Sequence, residues 1–279
     1  MKTTNIITIS IVLFLVGTLS VAAQESGETE NGKERWKIIY KPKLMVNQNQ
    51  QDDKNLKISN LIKFCYQVYD LKNNIKKKAS QVKVGDDKIE ISYNKRESLT
   101  VSFLDLTKSN IHVKEYEFVN KMAMLNPYII DIDGVARFTF EPWKLVNAKE
   151  LANYLYDIQY RINEKLYSQQ LTAFEPQVMA YNALSEKPLI SEEQRKYIVQ
   201  ANGLSEQKMF KRAIELYEKA IEINPLSYPA AYSNLALLSA QSSQFQTAIY
   251  FMKKYLMLVP QAEDARSAQD KIYLWETEL

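Results

Sequence analysis

The spacing of apolar residues divides this chain into regions with different predicted secondary structure. An apolar run at residues 6–19 is followed by a polar stretch and then by a row of helically spaced apolar residues that ends near Cys65. From Gln81 to Phe140 apolar and polar residues alternate, which predicts half-buried strands. Helical periodicity returns at 147–166 and again after residue 191. The pattern therefore predicts an α+β fold class, with a sheet domain followed by an all-α module.

Four alternating apolar triplets and two turn signals make up most of the sheet region. The triplets are Ile89, Ile91, Tyr93; Leu99, Val101, Phe103; Tyr128, Ile130, Ile132; and Ala136, Phe138, Phe140. Gly85-Asp86-Asp87 and Asp133-Gly134 separate apolar runs and predict hairpin turns, because glycine and aspartate tolerate positive φ. Ile111–Phe118 is a further candidate strand, and Trp36–Tyr40, within a polar leader, is either an edge strand or a clip onto the following domain. We expect these strands to form an antiparallel sheet.

One amphipathic helix is predicted directly after the strands, at Asn147–Leu166. Asn147 and Glu150 have the spacing of a capping box, and the buried stripe is predicted to be Leu151, Leu155, Ile158 and Ile162. An antiparallel sheet closed by one such helix resembles the pleckstrin-homology-like fold over Gln81–Leu166. Members of that superfold bind phosphoinositides or peptides. Lys76–Lys83 matches no headgroup motif of that fold, so the resemblance does not imply lipid binding.

After residue 191 one pattern of small, aromatic and proline residues occurs twice. Ala213 recurs as Ala248 and Pro225 recurs as Pro260, each after 35 residues. The other members are Tyr197, Ala201, Tyr217 and Ala220 in the first copy, and Tyr232, Leu235, Ala236, Met252 and Tyr255 in the second. A period in the thirties is typical of stacked helical hairpins. Ser191 and Gln194 predict a capping box at the first helix, and Glu263–Glu276 predicts a closing helix.

This pattern resembles the tetratricopeptide repeat (TPR). The resemblance implies an all-α module with a capping helix over 191–279, whose leading helices line a concave surface that binds a segment of a partner. By the match of Tyr197 and Tyr232, the residues of that surface are Arg195, Ile198, Asn202, Ser233, Asn234 and Leu237. The implied partner is a protein or peptide. Docking of the repeats on the chain's own sheet domain is the alternative.

Some members of the family hold a partner's carboxy-terminal carboxylate with two asparagines and several lysines. Asn202 and Asn234 resemble those asparagines. Ile198 stands in place of a neighbouring lysine, and Ser267 and Ala268 stand in place of the basic pair on the following helix. The mixed polar and apolar lining therefore favours capture of an extended peptide or a helix in a groove.

The amino-terminal end has the pattern of a secretory signal peptide, predicted for residues 1–23 with cleavage after Ala23. Its apolar run of ~14 residues is shorter than the ~20 that cross a bilayer, although an uncleaved anchor is the alternative. The mature protein is expected to be periplasmic or secreted, without a transmembrane span. The other predicted boundaries are a polar leader at 24–56, an α+β domain at 57–170, a linker or strap at 171–190 and the TPR module at 191–279.

The composition, 46% hydrophobic and 25% charged, is that of a soluble globular protein, with a net charge of +3. Positive charge is concentrated in Lys33–Arg96, which has 16 basic and 7 acidic residues. An alternative function follows: attachment to anionic lipid or envelope polymer through Lys76, Lys77, Lys78 and Lys83. The other interpretation of these lysines is a solvated loop. Nucleic acid is not an expected partner of an exported protein.

Residue types that carry catalysis are scarce in this chain. It has one cysteine, Cys65, and one histidine, His112, so an internal disulfide and a zinc site built on paired histidines are excluded. Neither a Gly-x-Ser-x-Gly elbow nor a glycine-rich phosphate loop occurs. A Cys65–His112 pair, or carboxylates such as Asp105 and Asp131, would be the residues of an unrecognised enzyme. The sequence instead predicts a non-enzymatic adaptor or scaffold without cofactor or metal.

Overall fold

The structure is a computed structural model, and it describes residues 27–28, 34–44, 51–107, 109–118 and 126–279. The predicted signal peptide at 1–23 lies outside the described residues. An antiparallel sheet domain is followed by a helical region, which confirms the predicted α+β class.

Among the described residues, ten strands and three helices form the sheet domain. They are β1 Gly27–Glu28, β2 Glu34–Tyr40, α1 Gln51–Phe64, β3 Gln67–Asp70, β4 Ile75–Lys77, β5 Gln81–Val84, β6 Lys88–Ser92, β7 Ser98–Ser102, α2 Phe103–Thr107, β8 Ile111–Phe118, β9 Tyr128–Ile132, β10 Ala136–Phe140 and the first half of α3 Leu145–Ala183. A seven-stranded sheet has the order β1-β2-β8-β9-β10-β3-β4, and a three-stranded sheet has the order β5-β6-β7. Side chains from both sheets, α1 and the first half of α3 share one apolar core.

β6, β7, β9 and β10 lie where the alternation of apolar residues predicts strands. Phe103, predicted as part of a strand, instead begins α2, and β3 and β4 lie before the region of alternation. Ile89, Ile91, Ile130 and Phe138 point into the core and are fully buried. Gly134 closes the β9–β10 hairpin with a φ of 74°, a conformation that glycine adopts without strain. Whether this domain closes in the manner of a pleckstrin-homology-like fold stays a prediction.

Part of the predicted leader at 24–56 belongs to the sheet domain. Trp36–Tyr40 lies in β2, which pairs with β8, so these residues form a strand. β1 pairs with the other side of β2, so β2 is not the outermost strand. α1 then begins at Gln51 and ends at Phe64, and the following Cys65 is buried in the core. Burial raises the pKa of the Cys65 thiol well above its usual value, so the thiol stays protonated.

The helix predicted at 147–166 is longer than its sequence pattern indicates. α3 has 39 residues and starts at Leu145 without a side-chain cap, so the capping box predicted for Asn147 and Glu150 is wrong. The segment predicted as a linker or strap at 171–190 is helical as far as Ala183, with Pro176 inside the helix. The physical reason is that this half of α3 buries Phe174, Val178 and Tyr181 against the following helices.

Five helices form the rest of the chain: α4 Glu192–Glu206, α5 Phe210–Ile223, α6 Ala230–Gln241, α7 Phe245–Leu258 and α8 Ala265–Glu276. α4 packs on α5, α6 on α7, and α8 on α7. Ala213 and Ala248, the small residues of the two sequence copies, are both fully buried. The second half of α3 packs along α7, not along the first repeat helix.

The turns inside the two helix pairs have the same geometry 35 residues apart. Lys208 and Ser243 both have positive φ, at 60° and 59°. The amide of Met209 bonds to the carbonyl of Leu204, and that of Gln244 bonds to the carbonyl of Ser239, each at 2.9 Å. The two copies of the pattern therefore form structurally equivalent turns.

Gln194 has a larger role than the capping box predicts. Ser191 Oγ accepts from the Gln194 backbone N–H at 3.2 Å, as expected. The buried Gln194 side chain, however, donates to the carbonyls of Ala220 at 2.8 Å and Asn224 at 3.0 Å, and accepts from Ser227 Oγ at 2.6 Å. These carbonyls lie at the end of α5, where a helix leaves acceptors without internal partners. Gln194 thus joins α4 to the α5–α6 connection.

We expect Gln194→Ala to lower the free energy of unfolding by about 2–3 kcal/mol, because it leaves buried carbonyls without donors. Denaturant unfolding followed by circular dichroism would measure this loss. Gln200→Ala is the matched control, since Gln200 is an exposed glutamine of the same helix. Equal effects of the two substitutions would contradict the proposed role of Gln194.

Candidate partner-binding site

The two asparagines predicted to face a partner converge on one tyrosine. Asn202 lies on α4, Asn234 on α6 and Tyr217 on α5 between them. The Tyr217 hydroxyl donates to Asn202 Oδ1 and accepts from Asn234 Nδ2 at 2.9 Å. Burial raises the pKa of Tyr217 to about 12, so the hydroxyl stays protonated at neutral pH. The structure therefore brings together two predicted residues that are 32 positions apart in the sequence.

The other predicted surface residues have different environments. Arg195 is exposed and lies 3.6 Å from the carboxylate of Glu192, and Leu237 is also exposed. Ser233 is half-buried, and its hydroxyl donates to the carbonyl of Ala230 at 3.0 Å. Ile198 is only 7% exposed, so its predicted place on the binding surface is corrected: it packs in the interior.

An exposed valine on the same side of α4, Val199, is not among the surface residues that the repeat resemblance implies. Val199 is 60% exposed and follows Arg195 by one helical turn, with Asn202 three residues further on. Arg195, Val199 and Asn202 therefore share one helix face. Helical spacing from Arg195 is the sequence signal that would have found Val199.

The helical region docks on the sheet domain through a different surface. Lys41 Nζ donates to Ser243 Oγ at 2.8 Å, and Gln244 Nε2 donates to Asn110 Oδ1 at 3.3 Å. Gln246 Nε2 donates to the carbonyl of Tyr160 at 2.9 Å. These contacts use the α6–α7 turn and the start of α7. The six predicted residues on α4 and α6 take no part in these bonds.

A groove of about 950 Å³ lies between α3, α5 and α7. Tyr167 and Tyr250 stack in it with ring centroids 4.3 Å apart, and α5 lines it with Glu215, Glu218 and Glu222. None of the six predicted residues lines this groove. The groove was not predicted because one side of it, including Tyr167, Phe174 and Gln177, comes from the part of α3 that the sequence pattern did not show to be helical.

One half-buried lysine in this groove is enclosed by aromatic rings. Lys254 Nζ lies 4.6 Å from the ring centroid of Phe174, 5.0 Å from that of Tyr250 and 5.6 Å from that of Tyr232. Burial lowers the pKa of Lys254, while the ring faces stabilise its charged form. Lys254 thereby holds the second half of α3 against α6 and α7.

A second cavity, of about 300 Å³, lies where the sheet domain meets the helical region. His112, Gln159 and Asn163 are among its lining residues. Gln159 Nε2 donates to the carbonyl of Ser109 at 2.7 Å and also to that of Leu106. Asn163 is buried, and its Oδ1 has no hydrogen-bond partner among the described residues. The cavity is a polar part of the contact between the sheet domain and the helical region.

The four lysines of the predicted anionic-surface patch lie on two different sheets. Lys76 and Lys77 are in β4, at the edge of the seven-stranded sheet, whereas Lys83 is in β5 of the three-stranded sheet. Lys76 lies over the ring of Tyr69 at 4.5 Å, and Lys77 forms an ion pair with Glu97. Lys78 follows β4 and is exposed. The four side chains do not form one continuous row.

The candidate catalytic residues are placed apart. Cys65 is buried in the core, while His112 lies on β8 beside the polar cavity. Asp131 is buried with Lys114 Nζ at 2.6 Å and Arg137 Nε at 3.0 Å, and Asp105 is exposed on α2. Within the described ranges, no group of three His, Cys, Asp or Glu side chains is arranged to hold a metal ion.

In the part of the chain that the structure describes, no helix combines the length and the apolar character needed to cross a membrane. A scan against protein-family models finds no match to this chain, and a search of curated proteins finds no significantly similar sequence.

Proposed function

We propose that this chain is an exported, non-enzymatic adaptor that binds a protein or peptide through a short tetratricopeptide-type array. The observation that supports this function is the convergence of Asn202 and Asn234 on the Tyr217 hydroxyl. Asn202 bonds to Tyr217 through its Oδ1, so its Nδ2 remains as a donor. Asn234 bonds to Tyr217 through its Nδ2, so its Oδ1 remains as an acceptor. A backbone peptide group offers the complementary acceptor and donor, so the pair suits an extended or helical segment.

The geometry of the helical region supports the same proposal. The two helix pairs have equivalent buried alanines and equivalent turns, as expected of repeats. Docking on the sheet domain uses the α6–α7 turn and leaves Arg195, Asn202 and Leu237 exposed to solvent. The alternative in which the repeats serve only to dock on their own sheet domain does not account for this free face. Export itself rests on the signal-peptide pattern of residues 1–23.

Capture from the native cell envelope tests the adaptor function. We expect the wild-type chain to recover a protein partner, and Asn202→Ala/Asn234→Ala to reduce its recovery at least tenfold, because two hydrogen bonds of about 1 kcal/mol each are lost. Quantitative mass spectrometry of the captured proteins provides the measurement. Asn182→Ala is the matched control, since Asn182 is an exposed helical asparagine outside the proposed face.

A second pair of substitutions separates the proposed face from the groove between α3, α5 and α7. If Glu215→Lys/Glu222→Lys abolishes capture while the asparagine variant retains it, the adaptor function stands and its site is the groove. Recovery of no protein by the wild-type chain would contradict the adaptor function itself.

A further inference from the structure

Four large apolar side chains are exposed together at one end of the sheet domain, where α1 ends and α3 begins. The side chains are Phe64, Tyr66, Trp143 and Val146, which are 53%, 48%, 72% and 77% exposed. Lys144 connects the two segments, because its Nζ donates to the carbonyl of Phe64 at 3.3 Å and lies 5.5 Å from the Phe64 ring centroid. We call these four residues the aromatic patch. Contiguous exposed apolar side chains mark an interaction surface.

Three lysines, Lys63, Lys78 and Lys144, flank the aromatic patch. Lys63 precedes Phe64 and is exposed. Val68 pairs with Lys77, so the antiparallel register brings Lys78 to the start of β3, next to Tyr66. Lys144 bonds to Glu141 at 2.9 Å. This bond, and to a smaller extent the charge of Lys78, lowers the pKa of Glu141. The Glu141 carboxylate is therefore ionised, and its charge is balanced by Lys144. The patch therefore carries an excess of positive charge.

We propose that the aromatic patch is a docking surface for an anionic lipid membrane, with the rings of Trp143 and Phe64 among the headgroups. Tryptophan and tyrosine favour the membrane–water interface because one part of each ring is apolar and another forms hydrogen bonds. The flanking lysines complement anionic headgroups, and each contributes about 1 kcal/mol near such a surface. A protein partner is the less suitable occupant, since lysine is depleted in protein–protein interfaces.

This surface is separate from the proposed partner-binding face, and it differs from the lysine patch considered in the sequence. Of those four lysines it includes only Lys78, and its apolar members come from segments about 80 residues apart in the chain. The proposal adds attachment of the sheet domain to a membrane surface, which leaves the repeat face free for a partner.

Vesicle sedimentation with the purified chain from Gln24 onward tests this proposal without any protein partner. Residues 1–23 are omitted because their apolar run would bind lipid by itself. We expect binding to phosphatidylcholine vesicles with about 30% phosphatidylglycerol, weaker binding to phosphatidylcholine alone, and loss of binding as salt rises towards about 0.5 M. The emission of Trp143 should shift to shorter wavelength on binding, and Trp143→Phe should remove that shift.

Substitutions within the patch are compared with matched exposed residues elsewhere. Trp143→Ala is expected to weaken binding at least tenfold, because a large buried ring is lost from the bound state. Leu104→Ala, at an exposed apolar residue of α2 outside the patch, should leave binding unchanged.

Lys63→Glu/Lys78→Glu should weaken binding more than tenfold, and Lys196→Glu on α4 should have little effect. Absence of binding to anionic vesicles, or equal effects of Trp143→Ala and Leu104→Ala, would overturn the proposal. In the native cell envelope, a photocrosslinker at position 143 that captures a protein in place of lipid would also overturn it.

Discussion

Replacing Asp131 by asparagine is expected to lower the free energy of unfolding of the sheet domain by about 3–5 kcal/mol, because the change leaves a buried ammonium without its counter-charge. Lys114 is 7% exposed, and its Nζ lies 2.6 Å from the Asp131 carboxylate. The indole of Trp36 covers the same ammonium, with 3.9 Å between Nζ and the ring centroid. Urea unfolding followed by tryptophan fluorescence, with Trp36 and Trp143 as the reporters in this domain, would measure the loss.

Two further variants show whether the buried charge is the cause. The double change Lys114→Met/Asp131→Leu removes both charges and should recover most of the lost stability, since buried ion pairs often exchange with apolar pairs at little cost. Glu90→Gln removes one partner of an exposed pair with Lys88 at 2.9 Å and should change the midpoint very little. A loss for Asp131→Asn as small as that for Glu90→Gln would show that water reaches Lys114.

Phe174→Ala should lower the free energy of unfolding of the helical region by about 3–5 kcal/mol, the usual range for a buried phenylalanine. Phe174 is 4% exposed, and its ring lies 5.8 Å from that of Tyr232 and 4.6 Å from Lys254 Nζ. Its removal opens a cavity between α3 and the α6–α7 pair. Hydrogen exchange along the second half of α3 should rise together with the loss of stability.

Met179→Ala is the control for this substitution. Met179 lies on the same helix but is 72% exposed, so its truncation should change stability by less than about 0.5 kcal/mol. Equal effects at positions 174 and 179 would mean that the second half of α3 does not depend on packing against α6 and α7.

Strands and turns were predictable because their signals are local. Alternation of apolar and polar residues over five positions assigns each side chain to a sheet face, and Gly134 supplies the positive φ of its turn. The same holds for the helices after residue 191, where Ala213 and Ala248 mark the close contacts. These features depend on neighbours within one turn or one strand.

The length of α3 was harder to predict. Phe174, Val178 and Tyr181 have helical spacing, but Pro176 between them suggests a break. The proline is tolerated because it lies on the exposed side, while the apolar stripe is buried against Tyr232 and Ile249. Only the packing partner, more than fifty residues away, shows that the helix continues.

By itself the sequence determined the α+β class, most strands, the two repeat copies and the buried alanines, because each follows from short-range periodicity. Tertiary structure decided that Ile198 is interior, that Asn202 and Asn234 share Tyr217, that Lys114 is buried with Asp131, and that Phe64 and Trp143 form one patch. The physical reason is that the burial of a charge and the composition of a surface depend on which distant segments meet, and local hydrophobic patterns do not encode that meeting.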